Sequence, residues 1–282
     1  MHAVLRLLRV QNLAVSFVGA LVGGLVARGT GVAVPAEVWA FVLLAGISTA
    51  CITAAGNVLN DLLDLEVDRT NHPDRPLVRG EVSLETARGL VVGLFMAGLF
   101  AVLPVVVVDP WVGFLLAVAV LALLGYEFLL KARGFAGNLV VALLTALVFL
   151  YGGAAAGNGA LLLPFAGMAF LATLSREVIK DMEDVRGDVG RVTLPMTYGL
   201  PYSSRVAQGS VLAAIALSLV PLAWFVSVTS VVGIIYLVLV GAADALFGVS
   251  VRYLPERLHY EQTMSKVAMT VALVAFLAVA FR

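Results

Sequence analysis

Nine stretches of about 20 apolar residues restrict the folds open to this chain more than any other feature. They run at 11–28, 37–59, 86–108, 110–130, 136–156, 160–180, 204–227, 229–251 and 262–281. Inside hydrocarbon every backbone N–H and C=O must be satisfied within the segment, so runs of this length cross as helices. Composition places the chain in that environment, with 61% hydrophobic residues, 13% charged residues and a mean hydropathy of +1.03. The expected fold is all-α: an integral membrane bundle of nine transmembrane helices in one domain spanning residues 1–282. Two tight turns, Asp109-Pro110 and Ser227 to Ser230, decide whether neighbouring runs are separate helices.

The basic residues orient the bundle. With the N-terminus in the cytoplasm, 16 of the 18 Lys and Arg residues fall on the inner side and only Arg28 and Arg282 on the other. The expectation is therefore a multi-pass cell-membrane protein with its N-terminus inside and its C-terminus outside. The segment Met1 to Val10 carries Arg6 and Arg9 but leads into no convincing cleavage site, so it reads as part of a retained first helix. The formal net charge of zero provides no overall field for nucleic acid, and no obligatory protein partner is evident. Cys51 is the lone cysteine, which excludes an intrachain disulfide and suits core packing.

Against this apolar background, one polar stretch stands out: Asn57, Asn60, Asp61, Asp64 and Asp68, followed by Arg69 and Arg75. At 100° per residue the first five share roughly a 100° arc, so one helix would project two amides and three carboxylates from one face. Such oxygens are hard-cation ligands. Mg²⁺ takes only one or two carboxylates directly and shares its other positions with water and phosphate, which implies a phosphorylated substrate. The stretch recurs 120 residues later, where Asp181, Asp184 and Asp188 match Asp61, Asp64 and Asp68, Glu177 answers Asn57, and Lys180 answers Asn60. The repeat points to two related halves around a central cavity, with two clusters able to hold two Mg²⁺ ions about one diphosphate. Gly187 and Gly190 weaken the second helix near its end, so Asp188 is expected on a loop. Both clusters lie at the predicted cytoplasmic ends of helices two and six, where the active site is expected.

These residues resemble the UbiA superfamily of intramembrane prenyltransferases. The likeness rests on Asn60-Asp61-x-x-Asp64-x-x-x-Asp68 with Arg69, on Asn71 to Pro76, on Lys180-Asp181-Met182-Glu183-Asp184 with Gly187-Asp188, and on Thr193-Leu194-Pro195. Arg176-Glu177 and Gly137-Asn138 most resemble the archaeal branch, whose members transfer a geranylgeranyl group from its diphosphate to geranylgeranylglyceryl phosphate and so form the second ether bond of archaeal lipids. The resemblance implies metal-site roles for Asn60, Asp61, Asp64, Asp68, Asp181, Asp184 and Asp188, with Asp64, Asp68, Asp181, Asp184 and Lys180 at the chemistry. It implies substrate contacts from Asn12, Asn57, Arg69, Arg75, Tyr126, Lys131, Asn138, Arg176 and Lys180. Of the bases, Lys180 is favoured because the repeat places it on the second cluster's face; positive-inside anchoring explains the others equally well.

Two other readings remain open. A sibling enzyme would use the same diphosphate machinery on an aromatic acceptor such as 4-hydroxybenzoate or a quinone precursor, and a transporter could also carry repeats and intramembrane acids. A transporter would place those acids near the bilayer midplane in broken helices, unlike the clusters at the helix ends here. Asp244, inside an apolar run, could contact the site or pair with a polar neighbour. Ring faces at Tyr126 or Tyr151 could steady a carbocation. His2, His72 and His259 have no ligand spacing. Gly23-Gly24 and Gly152-Gly153 suit close helix packing, and no phosphate-binding nucleotide loop is present.

Overall fold

The structure is a computed structural model describing residues 2–29, 34–131, 133–185 and 192–282. Asp188, with the loop expected around it, lies outside these residues. Among the described residues all regular structure is helical, with no strand. Their order is α1 (His2–Leu8), α2 (Val10–Arg28), α3 (Ala36–Leu63), α4 (Leu65–Asn71), α5 (Leu84–Val108), α6 (Pro110–Gly125), α7 (Phe135–Ala155), α8 (Leu163–Asp184), α9 (Leu194–Tyr198), α10 (Leu200–Leu217), α11 (Val220–Trp224), α12 (Val231–Arg252) and α13 (Leu258–Val279). A π-helical turn, Tyr126–Leu130, continues α6.

Nine membrane-spanning segments are present among the described residues: Val10–Arg28, Ala36–Leu63, Leu84–Val108, Pro110–Leu130, Phe135–Ala155, Gly159–Asp184, Leu200–Trp224, Val231–Arg252 and Leu258–Val279. Val107 and Val231 are among many large apolar side chains left on the outer surface, as a lipid-facing bundle requires. Both doubtful turns are real. Asp109 caps α6 by accepting the Trp111 N–H at 3.0 Å, with Pro110 in the first turn, while Ser230 caps α12 by accepting the Gly233 N–H.

The halves correspond in packing as well as in motif. In the first, α3 lies between α2 and α5; in the second, α8 lies between α7 and α10. The seam between the halves is α2 against α7, and it depends on glycine. A Cβ at Gly152 would stand 1.9 Å from the Ala20 carbonyl oxygen, and one at Gly23 would stand 2.4 Å from that of Phe149. The backbones can approach this closely because neither residue has a side chain, which in lipid supplies much of the packing that holds helices together. Beside the seam, Val22, Val26, Phe149, Phe165 and Phe276 form the largest apolar cluster.

Candidate active site

The two motifs end on the same face of the bundle. Asp64 follows the last residue of α3, and Asp184 is the last residue of α8. The first motif does not lie on a single helix: at Asp64 the backbone takes φ −89° and ψ 3°, α3 stops, and Asp68 is carried by α4. This departure into the bridge region tilts the chain while keeping its helical hydrogen bonds, Asp64 N–H to Asn60 C=O and Asp68 N–H to Asp64 C=O.

Each carboxylate of the first motif already holds a cation from elsewhere in the chain. Lys131 Nζ lies 2.5 Å from Asp64 Oδ2. Arg75 pairs with Asp68 and also reaches Asp61 at 3.1 Å, while Arg9 donates to Asp61 at 2.5 Å. Asp61 and Asp68 are buried, each 3% exposed, so neither carboxylate could remain there without such partners. Arg9 sits between α1 and α2 in the left-handed region, φ 56°, a conformation costly for a side chain of its size. Asn57 Nδ2 donates to the neighbouring Leu8 carbonyl at 2.9 Å, so α3 fixes the turn from which Arg9 reaches Asp61.

Lys131 follows the π-helical turn, and Glu127, four residues earlier, lies 3.3 Å from it as an i, i+4 pair. Asn60 Nδ2 donates to both oxygens of Glu127, at 3.0 and 3.2 Å, which directs its amide oxygen elsewhere, toward Arg9 at 3.4 Å. Sequence reasoning missed Glu127. A single acid at the end of an apolar run has no spacing partner, and only its placement across from Asn60 reveals its role. After the turn, Gly134 adopts φ 58° and lies so close to the Val192 carbonyl that a Cβ would be 2.0 Å from it.

The second motif meets the first through this corner. Asn138 Nδ2 donates to Asp181 Oδ2 at 2.7 Å. Asp181, Asn138, Tyr126, Lys131 and Thr193 line one small cavity of about 10 Å³, into which the buried Thr193 hydroxyl brings an unpartnered oxygen. Lys131 thus stands between Asp64 and the Asp181 wall. Arg176 is paired with Glu177 at 2.6 Å, and both line the main cavity. Lys180, like Asp64, Asp68 and Asp184, is not among the residues lining these two cavities; Lys131 lines the small one and pairs with Asp64. Arg69 is also not brought in: it is exposed and pairs with Glu66 on its own helix.

The main cavity has a volume of about 1000 Å³. Its polar end carries Asn57, Asn60, Tyr126, Glu127, Arg176 and Glu177, and its deeper walls include Leu115, Leu147, Phe149, Met168 and Phe276. Asn12 and Tyr151 line it as well, the latter donating to Ser48 Oγ at 3.1 Å. Asp244 faces the cavity but accepts from Ser218 at 2.8 Å. Leu217, beside Ser218, packs against Gly167, about 13 Å down α8 from Arg176. Asp244 therefore lies far below the carboxylates and serves as a hydrogen-bonded group of the bundle.

A family model described as the UbiA prenyltransferase family matches residues 16–280. The chain belongs to the UbiA prenyltransferase family. It is a multi-pass membrane prenyltransferase, and its relatives match it over most of its length. The digeranylgeranylglyceryl phosphate synthase of Methanoculleus marisnigri is 38% identical, covering 87% of this chain and 85% of that protein. That of Methanopyrus kandleri is 37% identical over 99% of both. A solved structure described for digeranylgeranylglyceryl phosphate synthase in membranes superposes with a TM-score of 0.80 at 29% identity, covering 99% of this chain and 98% of that one. A UbiA homologue from Archaeoglobus fulgidus, bound to GPP and Mg²⁺, superposes with a TM-score of 0.68 at 18% identity over 99% of both chains, a likeness of fold.

The donor set suits a metal that is completed by its substrate. Among the described residues no three His, Cys, Asp or Glu side chains converge to enclose an ion. The oxygens of Asn60, Asp64 and Asp68 on one side and of Asp181 and Asp184 on the other are hard donors, and the ammonium of Lys131 already occupies a cation position against Asp64. Mg²⁺, which binds through one or two carboxylates and fills its shell with water and phosphate, fits such a site.

Proposed function

We propose that this prenyltransferase moves a geranylgeranyl group from geranylgeranyl diphosphate to the free hydroxyl of geranylgeranylglyceryl phosphate, making the second ether bond of an archaeal membrane lipid. The observation that carries this reading is the placement of the two carboxylate motifs beside one large, mainly apolar cavity: Asn60 lines its polar end, and Tyr126 lines both it and the small cavity that holds Lys131 and Asp181. The names of the relatives, at 33–41% identity over most of the chain, support the same substrate pair.

In this reading the diphosphate lies between the clusters and the isoprenoid tail runs into the cavity. Asn60, Asp64 and Asp68 would hold one Mg²⁺, and Asp181 and Asp184 a second, with Asp188 also assigned to the second cluster by its motif. When bound, Mg²⁺ neutralises diphosphate charge and draws electrons from the breaking C–O bond. Lys131 and Arg75 give up their carboxylates as these gain other partners, and turn to the phosphate oxygens, where negative charge grows as the bond breaks. Tyr126 and Tyr151 present ring faces to the allylic cation. The apolar walls keep water away from it, so the acceptor oxygen is the nucleophile present. The allylic C–O bond breaks and diphosphate leaves with the bonding pair, the acceptor oxygen then forms the new C–O bond to the cation, and the hydroxyl proton passes to a motif carboxylate or to diphosphate. Asp61, buried between Arg9 and Arg75, fits an anchoring role better than a ligand role. We further assign the whole of residues 1–282 to one domain and the clusters to the cytoplasmic face.

The test is a product assay on purified protein with Mg²⁺, labelled geranylgeranyl diphosphate and two competing acceptors, geranylgeranylglyceryl phosphate and 4-hydroxybenzoate. A lipid-soluble diether phosphate is expected. A prenylated aromatic acid in its place would retain the machinery and overturn the acceptor assignment.

A further inference from the structure

Lys266 is an intramembrane cation that the diphosphate machinery does not use. It lines the main cavity from α13, two turns inside that helix. Its depth can be read from contacts along the neighbouring helices. His259 and Gln262 meet Glu183 at 3.0 and 3.2 Å, and Phe276 meets Phe165 edge-on at 5.0 Å between centroids, so α13 runs antiparallel to α8 with Lys266 level with Arg176. At the far end Arg282 donates to the Val26 carbonyl, which places Lys266, 16 residues earlier, level with the start of α2. Lys266 therefore stands at the height of Arg9, Gln11 and Asn12 on one side and Arg176 on the other, all lining the same cavity. This height is about 12 Å below Asp184, by the rise of α8.

The charges at this level are unequal in their commitments. Arg9 is held by Asp61, and Arg176 by Glu177. Among the described residues Lys266 has no ion pair. One turn deeper, Thr173 also lines the cavity; it is 4% exposed, and its hydroxyl has no partner. Lys266 is an exposed cation on the cavity wall and the Thr173 hydroxyl is buried without a partner, and an anion with hydrogen-bonding oxygens would give both a counterpart.

We propose that Lys266, with the Thr173 hydroxyl and the α2 amides Gln11 and Asn12, forms a subsite for a phosphate monoester, that of the glycerol acceptor. The inference rests on the reaction assigned above, which brings two anionic substrates into one cavity. The acceptor phosphate cannot share the cations that neutralise diphosphate without repulsion, so it needs a positive group of its own. The subsite would orient the glycerol so that its hydroxyl faces the allylic carbon, making Lys266 a determinant of acceptor choice.

The experiment compares geranylgeranylglyceryl phosphate with its dephosphorylated form, geranylgeranylglycerol, as acceptors for the wild type, Lys266→Gln and Lys266→Arg. The ratio of the two kcat/KM values is independent of how much protein is correctly folded. In the wild type the ratio favours the phosphate strongly; in Lys266→Gln it falls at least tenfold, while KM for geranylgeranyl diphosphate is unchanged and Lys266→Arg keeps most of the preference. An unchanged ratio in Lys266→Gln overturns the subsite. If Lys266→Gln is inactive, the readout is protection against thermal unfolding by the acceptor phosphate, lost if the subsite exists and retained at wild-type strength if it does not. Millimolar inorganic phosphate is the second arm: protection equal to that by the lipid would assign the site to a free anion and overturn its assignment to the acceptor. A wild type that makes no ether product from either glycerol compound refutes the functional reading itself, and this inference falls with it.

Discussion

At the scale of single residues the acidic groups of the two motifs divide into those that hold the fold and those that are available for chemistry. Asp61 is 3% exposed and receives both Arg9 and Arg75, so removing its carboxylate leaves two guanidinium groups facing a buried space. Asp61→Ala is expected to destabilise the protein by about 3–5 kcal/mol, the usual cost of breaking a buried ion pair. Thermal unfolding in detergent measures this, and a wild-type melting temperature would contradict the anchoring role. Asp64 is more exposed and, among the described residues, pairs with Lys131, an exchangeable partner. Asp64→Ala and Asp181→Ala are expected to abolish Mg²⁺-dependent turnover with little loss of thermal stability; full activity in either variant would remove that residue from the site. The motif residues Asn60, Asp64 and Asp181 were legible in the sequence because their spacing repeats after 120 positions. The pairing of Asp64 with Lys131 was not, since it spans 67 positions of chain and joins neighbours that no periodicity encodes.

Among the elements, the π-helical turn and the glycine seam position the site. The π turn leads directly into Lys131, which reaches Asp64 with Glu127 beside it. Inserting one alanine between Leu130 and Lys131 would rotate Lys131 by about 100°, away from Asp64. Activity is then expected to fall by two orders of magnitude or more with the span intact, and undiminished turnover would show that the direction of Lys131 is incidental. The seam is tested by Gly152→Ala. Its Cβ would meet the Ala20 carbonyl, so α2 must move away from α7; overpacking of this kind costs about 1–3 kcal/mol. A lowered melting temperature is the expected result. The spans themselves were readable from sequence to within a few residues, since backbone in hydrocarbon has few alternatives to a helix. The break at Asp64 was not, because a bridge-region residue that keeps its hydrogen bonds leaves no trace in side-chain spacing.

For the molecule as a whole, the account makes one claim: two related halves bring a carboxylate cluster each to one end of a shared cavity, and a diphosphate joins them. The repeat in sequence anticipated the halves, and the packing of α3 and α8 between corresponding neighbours gives that repeat its physical form. The cavity was expected between the related halves, but its lining was not legible, because its volume arises from gaps among Gly, Thr and Leu side chains contributed by many helices. Chelation of divalent cations should stop turnover and Mg²⁺ should restore it; turnover that persists in excess chelator would count against the metal assignment. The most direct measurement is a structure of the protein with Mg²⁺ and a thio analogue of geranylgeranyl diphosphate that resists cleavage. The account predicts the diphosphate between Asp64 and Asp181 with Lys131 turned onto its oxygens, and the tail along Leu115, Leu147 and Phe276. A diphosphate bound away from either cluster, with Lys131 still on Asp64, would contradict it.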